Sequence, residues 1–304
     1  MQETILEIKN LTKYYGKVKG VEGLSLSLNK GEIFGFIGPN GAGKSTTIRS
    51  IMNLINKDSG SVLFHGKELD RDDVEAKSKI GYLPSEVFLY DDLTVKGIFD
   101  HHESFYKKFG KTEAIRERRK ELVARLKLDE TRKIEDLSLG NLKKVGIILA
   151  LMHGPELIIM DEPTSGLDPI MQSVFYELLK EEREKGTTVF YSTHILSEVS
   201  KICDRVGIIR SGRLIKAGSV DEVRDKQLTF VTVTTDDPDA LVNALGVKLL
   251  SQEGNTVRFA NDMSDDALIK KLAVFRIRKI LIEEATLEEM FMHYYTEDQE
   301  DAKT

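Results

Sequence analysis

The stretch "GPNGAGKST" carries the densest chemistry in this chain. It fills the spacing G-x-x-x-x-G-K-[ST] with Gly38, Gly43, Lys44 and Ser45, with Pro39, Asn40, Gly41 and Ala42 between the glycines and Thr46 at the end. Glycines let the backbone amides of such a turn close around phosphate oxygens, and the N-terminus of a following helix adds partial positive charge. Lys44 would reach the β and γ phosphates of a nucleoside triphosphate, and Ser45 would offer its hydroxyl to Mg²⁺. The motif needs a strand before it and a helix after it. "EIFGFI" and "TTIRSIMNLI" supply both.

A second reactive pair ends "LIIMDEP", residues 157–163. A continuous apolar run suits a strand buried on both faces of a parallel sheet, and ligands bind at the carboxyl end of such strands. Asp161 would then stand beside the phosphate loop and hold Mg²⁺ through water, while Glu162 could orient and polarise an attacking water. Taken alone, an acidic pair at a strand end is more often a helix cap or a surface turn. Downstream of a phosphate loop, the catalytic reading is the better one. A third stretch, "DLSLGNLKK" at residues 136–144, sets a Ser-Leu-Gly-Asn break ahead of the apolar "VGIILALM". Small residues and free amides at a helix start suit an anion, yet nothing nearby in the sequence is built to hold one.

The elements that position these residues alternate along the chain. The first part is β-rich, with "ILEIKNLTKYYG" and "VEGLSLSLNKGEIFGFIG" broken by Gly and Lys-Gly turns. From Asp91 to about Arg132 long charged stretches with helical spacing, such as "KTEAIRERRKELVARLKL", mark a helical insertion. "ELIIMDE" and "TTVFYSTH" follow as strands around the amphipathic "IMQSVFYELLKEEREKG", an order that predicts a parallel sheet. After about Lys226 the pattern restarts. "LTFVTVTTD", "VKLLSQ", "TVRFA" and "RIRKILIEEA" read as strands, and "DPDALVNALG", "DDALIKKLAVF" and "TLEEMFMHYY" as helices, giving a small α+β domain behind the linker "SVDEVRDKQ". The tail "TEDQEDAKT" is expected to be disordered.

Composition narrows the partners. The 304 residues suffice for one large domain and a small one. With 44 Lys plus Arg against 50 Asp plus Glu, the net charge of −6 argues against nucleic acid as a main partner. Cys203 is the single cysteine, so no internal disulfide forms and a reducing compartment fits. The N-terminus lacks an export-signal pattern, and no apolar run is long enough to span a membrane, so a soluble chain is expected.

"GPNGAGKST", "LSLGN", "LIIMDEPTSGLD" and "STH", in this order, resemble the nucleotide-binding subunit of an ABC (ATP-binding cassette) transporter over about residues 4–225. The resemblance implies a RecA-like α/β core of the P-loop type, with an antiparallel β subdomain and a helical subdomain at about residues 86–145. An ATPase domain is then expected at 1–226, a C-terminal α+β accessory domain at 227–295 and a disordered tail at 296–304. It also implies roles for single residues. Tyr15 matches the aromatic that stacks on adenine, with Tyr14 as the rival. His194 matches the switch histidine at the γ-phosphate, and Asp168 the aspartate that communicates between two subunits. Ser138 and Gly140 match the signature positions that grip the γ-phosphate of ATP held by a different subunit, so the ligand of this helix start comes from across a dimer interface.

Departures from the pattern fall at Leu139 and Asn141, which replace Gly and Gln, and at Ser85 in "IGYLPSE", where the family commonly has a glutamine that contacts Mg²⁺. Glu86 follows Ser85 as the other candidate for that role. With one phosphate loop and no span, the chain is expected to pair with a second copy or a related ATPase subunit. An integral membrane permease would dock between the "LPSE" loop and the helical insertion, and the pair would sit in the cytoplasm on the inner face of the cell membrane. The C-terminal domain ending in "ATLEEMFMHYY" is similar to tails of ABC-2-type exporters of the multidrug or bacitracin-resistance kind. The alternative is a soluble ABC ATPase without transport, although this chain lacks the second cassette of ribosomal members and the coiled coil of DNA-repair members.

Overall fold

The structure is a computed structural model that describes residues 3–223, 229–247, 249–261 and 263–284. The chain divides into two units, Met1–Ser219 and Val220–Thr304.

The first unit opens with two long antiparallel strands, β1 (Thr4–Tyr15) and β2 (Val18–Asn29), which bury Leu6, Ile8, Leu11, Leu24 and Leu28. β3 (Ile33–Ile37) is buried at every position and delivers the chain into the phosphate loop and α1 (Lys44–Ile51). β4 (Ser59–Phe64) and β5 (Lys67–Glu68) complete an antiparallel sheet in the order β2-β1-β4-β5. Beyond α2 (Val74–Lys77) and β6 (Ile80–Leu83) lies the helical section, α3 (Val95–Ser104), α4 (Thr112–Arg125) and α5 (Leu139–Leu151). The charge of α4 is spent partly on its neighbours, with Arg119 bonded to Asp100 and Arg125 to Glu181. The chain then alternates through β7 (Leu157–Asp161), α6 (Pro169–Glu184), β8 (Thr188–Thr193), α7 (Leu196–Ile202) and β9 (Arg205–Arg210), and returns along β10 (Arg213–Ser219).

The second sheet runs β10-β9-β3-β8-β7-β6, parallel except for β10. β7 and β8 are buried along their whole length because each face is covered, which is why they read as unbroken apolar runs. One core, with Phe34, Phe36 and Phe190, lies toward the antiparallel sheet; the other, with Phe99, Ile148, Phe175 and Tyr191, lies toward the helices. This is the expected α/β core with its antiparallel and helical additions. The order places β8 between β3 and β7, so the segments leaving those three strands emerge side by side at one edge of the sheet.

The second unit comprises α8 (Val220–Val223), β11 (Thr229–Thr235), α9 (Pro238–Leu245), β12 (Leu249–Glu253), β13 (Thr256–Asn261), α10 (Asp265–Leu272) and β14 (Ile277–Glu284). Its strands form an antiparallel sheet in the order β12-β13-β11-β14, two interleaved βαβ units. Leu241, Leu245, Leu268 and Leu272 cover Val231, Val233, Val257 and Phe259. The segment 219–227, expected to be a linker, contains the last residue of β10 and the helical turn α8, where "VDEV" offers acidic residues for a helix start; its residues 224–227 lie outside the described residues. The helix expected at 286–295 and the tail at 296–304 also lie outside them. Among the described residues no helix is long and apolar enough to cross a membrane.

Candidate functional site

The phosphate loop is wedged where only glycine fits. Gly43, which precedes α1, has φ 107, and a Cβ added there would lie 2.4 Å from the Gly20 carbonyl oxygen. A Cβ on Gly38 would lie 2.4 Å from the Ile209 carbonyl oxygen. The loop is therefore clamped between β2 and β9, with Asn40 and Gly41 exposed and Ala42 buried. Lys44 is buried and folds back over it, its Nζ donating to the carbonyls of Gly38 at 2.7 Å and Pro39 at 3.2 Å. The Tyr15 ring and the Thr46 methyl both flank Gly20: a Cβ on that glycine would lie 3.1 Å from Tyr15 Cε2 and 2.9 Å from Thr46 Cγ2. Tyr15 keeps an exposed ring beside the loop, whereas Tyr14 donates its hydroxyl to Glu22 at 2.6 Å. Ser45 is half-buried in the first turn of α1.

The acidic pair closes on this loop. Asp161 ends β7, is 2% exposed, and accepts a hydrogen bond from Ser192 Oγ at 3.0 Å, its register partner on β8. Glu162 turns the chain at φ 48, a left-handed conformation that a non-glycine residue adopts only when its surroundings hold it there. Its amide donates to the Ser192 carbonyl at 3.0 Å. Its carboxylate bridges two partners: Oε1 lies 3.4 Å from Lys44 Nζ, and Oε2 lies 2.7 Å from Nδ1 of His194. Side chains from the start of α1 and from just past the ends of β7 and β8 thus meet in one contact chain, Lys44–Glu162–His194.

Ser138, Gly140 and Asp168 form a second group. Ser138 is the exposed N-cap of α5, its Oγ accepting a long 3.4 Å bond from the Asn141 amide. A Cβ on Gly140 would lie 2.6 Å from the Gly166 carbonyl oxygen, and Leu139 covers Gly166, which sits at φ 82. Asp168 caps α6, accepting from the Ile170 and Met171 amides at 3.0 and 2.9 Å, with Pro169 at the first helical position. Among the described contacts, this group touches the "SGLD" turn and not residues 38–46.

Phosphate loop, acidic strand end, helix-start serine and strand-end histidine occur here in one fold, and comparison with known proteins decides what that fold is. The ABC transporter family profile matches residues 21–165. The chain is 42% identical over 221 residues to the linearmycin resistance ATP-binding protein LnrL of Bacillus subtilis (strain 168), covering 71% of this chain and 69% of that protein. It is 32% identical to the bacitracin transport ATP-binding protein BcrA of Bacillus licheniformis, covering 95% and 96%. A solved dimeric bacterial ABC transporter cassette superposes with a TM-score of 0.64 at 26% identity, covering 71% of this chain and 99% of that one. The chain belongs to the ABC transporter ATP-binding family. It is an ATP-binding, ATP-hydrolysing cassette, and the soluble non-transport reading is not favoured.

Within this cassette the "LPSE" loop is held by α5. Lys143, buried in α5, donates from Nζ to the carbonyls of Ser85 at 2.7 Å and Pro84 at 3.3 Å. Burial pulls its ammonium below the usual lysine range, against the opposing charges of Asp161, Glu162 and Glu86. One turn on, Gly146 lets the loop approach: a Cβ there would lie 2.7 Å from Leu83 Cδ1 and 2.8 Å from Val87 Cγ2. Sequence reading passed over both Lys143 and Ser192. The available signals were a lysine inside an otherwise apolar helix face, and a hydroxyl two residues before His194 opposite Asp161.

Among the described residues no group of three or more His, Cys, Asp and Glu could hold a metal by itself. Ser45, Asp161 and Ser85 offer oxygen donors, which suit a hard cation that completes its shell with phosphate and water.

Proposed function

We propose that this cassette works as a pair of copies beneath a separate membrane permease, each copy closing the other's ATP site. The observation that carries the hydrolytic part of the reading is the Glu162 carboxylate held between Lys44 and His194 beside the phosphate loop, and likeness to a dimeric cassette supports the pairing. In it, Tyr15 stacks on adenine and the amides of residues 38–46 wrap the phosphates. Lys44 exchanges its loop carbonyls for the β and γ phosphates. Ser45 and Asp161 would hold Mg²⁺, with Ser85 or Glu86 in support, and the ion would supply neutralisation of phosphate charge. Glu162 takes a proton from the attacking water, and His194 fixes the carboxylate's direction while reaching toward the γ-phosphate. Ser138 and Gly140 of one copy close on the γ-phosphate bound by the other, and Asp168 lies on the same facing surface, so nucleotide becomes part of the interface.

Likeness to a linearmycin resistance and a bacitracin transport ATP-binding protein supports an exporter. The cassette would then sit on the cytoplasmic face of the membrane, with residues 1–226 as the ATPase and 227–295 as an accessory domain that stabilises or regulates the pair. Two measurements test this. Affinity purification from native membranes should bring down an integral membrane protein. ATPase rate per molecule should also fall on dilution below the concentration at which copies associate; a rate indifferent to dilution would overturn the shared-site mechanism.

A further inference from the structure

Behind the Glu162–His194 contact lies a buried carboxylate that the mechanism above does not use. Glu198, in α7, is 3% exposed. It has no ion-pair partner among the described residues, and its neighbours are hydroxyls. Oε1 accepts from Thr164 Oγ1 at 2.5 Å and from the Tyr176 hydroxyl at 3.2 Å. Oε2 accepts from the Tyr191 hydroxyl at 2.9 Å and from Thr193 Oγ1 at 2.7 Å. An ionised carboxylate only accepts, so a shell of donors from separate elements satisfies it without a cation. Burial first, and the Glu198 charge second, raise both phenols above their ordinary range, which keeps them protonated donors.

The positions of those donors give the carboxylate its meaning. Thr164 is two residues past Glu162, and Thr193 immediately precedes His194. Thr193 Oγ1 also accepts the Ile195 amide at 3.0 Å, pinning the turn in which the histidine sits. Tyr176 comes from α6 and Tyr191 from the middle of β8, so the shell is anchored in the core on the far side. Glu162 occupies a left-handed conformation that must be held from outside. We infer that Glu198 is a positioning residue for hydrolysis, fixing the turn after β7 and the turn after β8 so that the Glu162 carboxylate and the His194 ring keep their mutual hydrogen bond. The inference rests on the proposed role of Glu162 and deepens it: the geometry of water activation is set by one buried carboxylate acting through its hydroxyl neighbours.

Glu198→Gln keeps the shape but replaces an accepting oxygen with a donating NH2 among hydroxyls already committed as donors. In the full-length protein, kcat for ATP should fall by about 100-fold, the loss expected for an ångström-scale misplacement. KM should stay within about threefold, because the phosphate loop is untouched. Thr164→Val, which leaves the carboxylate and most of its shell intact, should show a smaller loss of the same kind, and it keeps the test open if the Gln variant does not fold. The deciding measurement is the Glu162→Gln/Glu198→Gln double variant. If Glu198 acts through Glu162, residual hydrolysis should equal that of Glu162→Gln alone. Unchanged kcat in both Glu198→Gln and Thr164→Val would overturn the inference, and so would an equal proportional loss in both backgrounds, which signals a merely structural role. If Glu162→Gln itself turns over normally, the failure belongs to the role of Glu162.

Discussion

Glu162→Gln separates two duties of one carboxylate, and the geometry sets the size of each. At 3.4 Å from Lys44 Nζ, and with an effective dielectric near 20, the gross Coulomb attraction is about 5 kcal/mol. Lys44 and Glu162 are 6% and 19% exposed, so the cost of desolvating both ions offsets much of that. A net value of about 1.5–3 kcal/mol, as for hydrogen bonds to charged groups, is the reasonable remainder. Glutamine is nearly isosteric and can still accept from Nδ1–H of His194, so the turn should persist, while loss of the Lys44 contact should lower the melting temperature by roughly 3–12 °C. Lys44 no longer shares its charge with a carboxylate, and the γ-phosphate no longer approaches one. ATP should therefore bind about tenfold more tightly, the equivalent of about 1.4 kcal/mol. Hydrolysis should fall by about 10²–10⁴-fold, the usual worth of a general base. Equilibrium ATP binding to dilute protein, single-turnover hydrolysis of radiolabelled ATP, and light scattering for a trapped dimer would measure the parts separately. Normal turnover would remove Glu162 from water activation. Slow turnover with unchanged affinity would refute the competition for Lys44.

Ser138→Arg should abolish hydrolysis while leaving ATP binding by dilute monomer nearly intact; loss of monomeric binding would mean that the serine acts within its own subunit. Gly140→Ala places a Cβ 2.6 Å from the Gly166 carbonyl oxygen, so the start of α5 must shift. It should cost about 1–3 kcal/mol of stability, read by denaturant unfolding, together with the concentration-dependent part of the ATPase rate. His153 stacks on Tyr106, and burial first, then the neighbouring His102, lowers its pKa to about 3. The fold prefers the neutral ring and the unfolded chain takes the proton near pH 6.5, so stability is full above that pH and falls as pH drops toward 3. At pH 5 the loss from His153 alone is about 2 kcal/mol. His153→Phe should flatten the pH dependence of unfolding between 6.5 and 4, and an unchanged slope would rule out this source.

Local pattern made much of this molecule readable. "GPNGAGKST" lies between a buried strand and a helix, and "LIIMD" and "TVFYST" are buried at every position because they are interior parallel strands. In the second unit, alternation located β11 and β13, but the interleaved order of its sheet depends on pairing across dozens of residues and left no local mark. The choice between Tyr14 and Tyr15 was open in the sequence. In the fold the two differ in that Tyr14 donates its hydroxyl to Glu22, whereas the Tyr15 ring stays exposed. Asp168 has a visible local duty, since the "D-P" that resembles a family motif is also a good helix cap. Ser192 and Lys143 left no local mark because their partners are 31 and 58 residues away; Glu198 has Thr193 and Tyr191 within seven residues, but the Thr164 contact that ties it to the turn after β7 spans 34.

The grip of Lys143 on Pro84 and Ser85, with the bare Gly146 against Leu83 and Val87, leaves no slack between residues 83–87 and the helix that begins at Ser138. Such a joint transmits displacement and does not cushion it. A push on the loop is then expected to move α5 as one body, carrying the exposed Ser138 hydroxyl at its N-terminus with it.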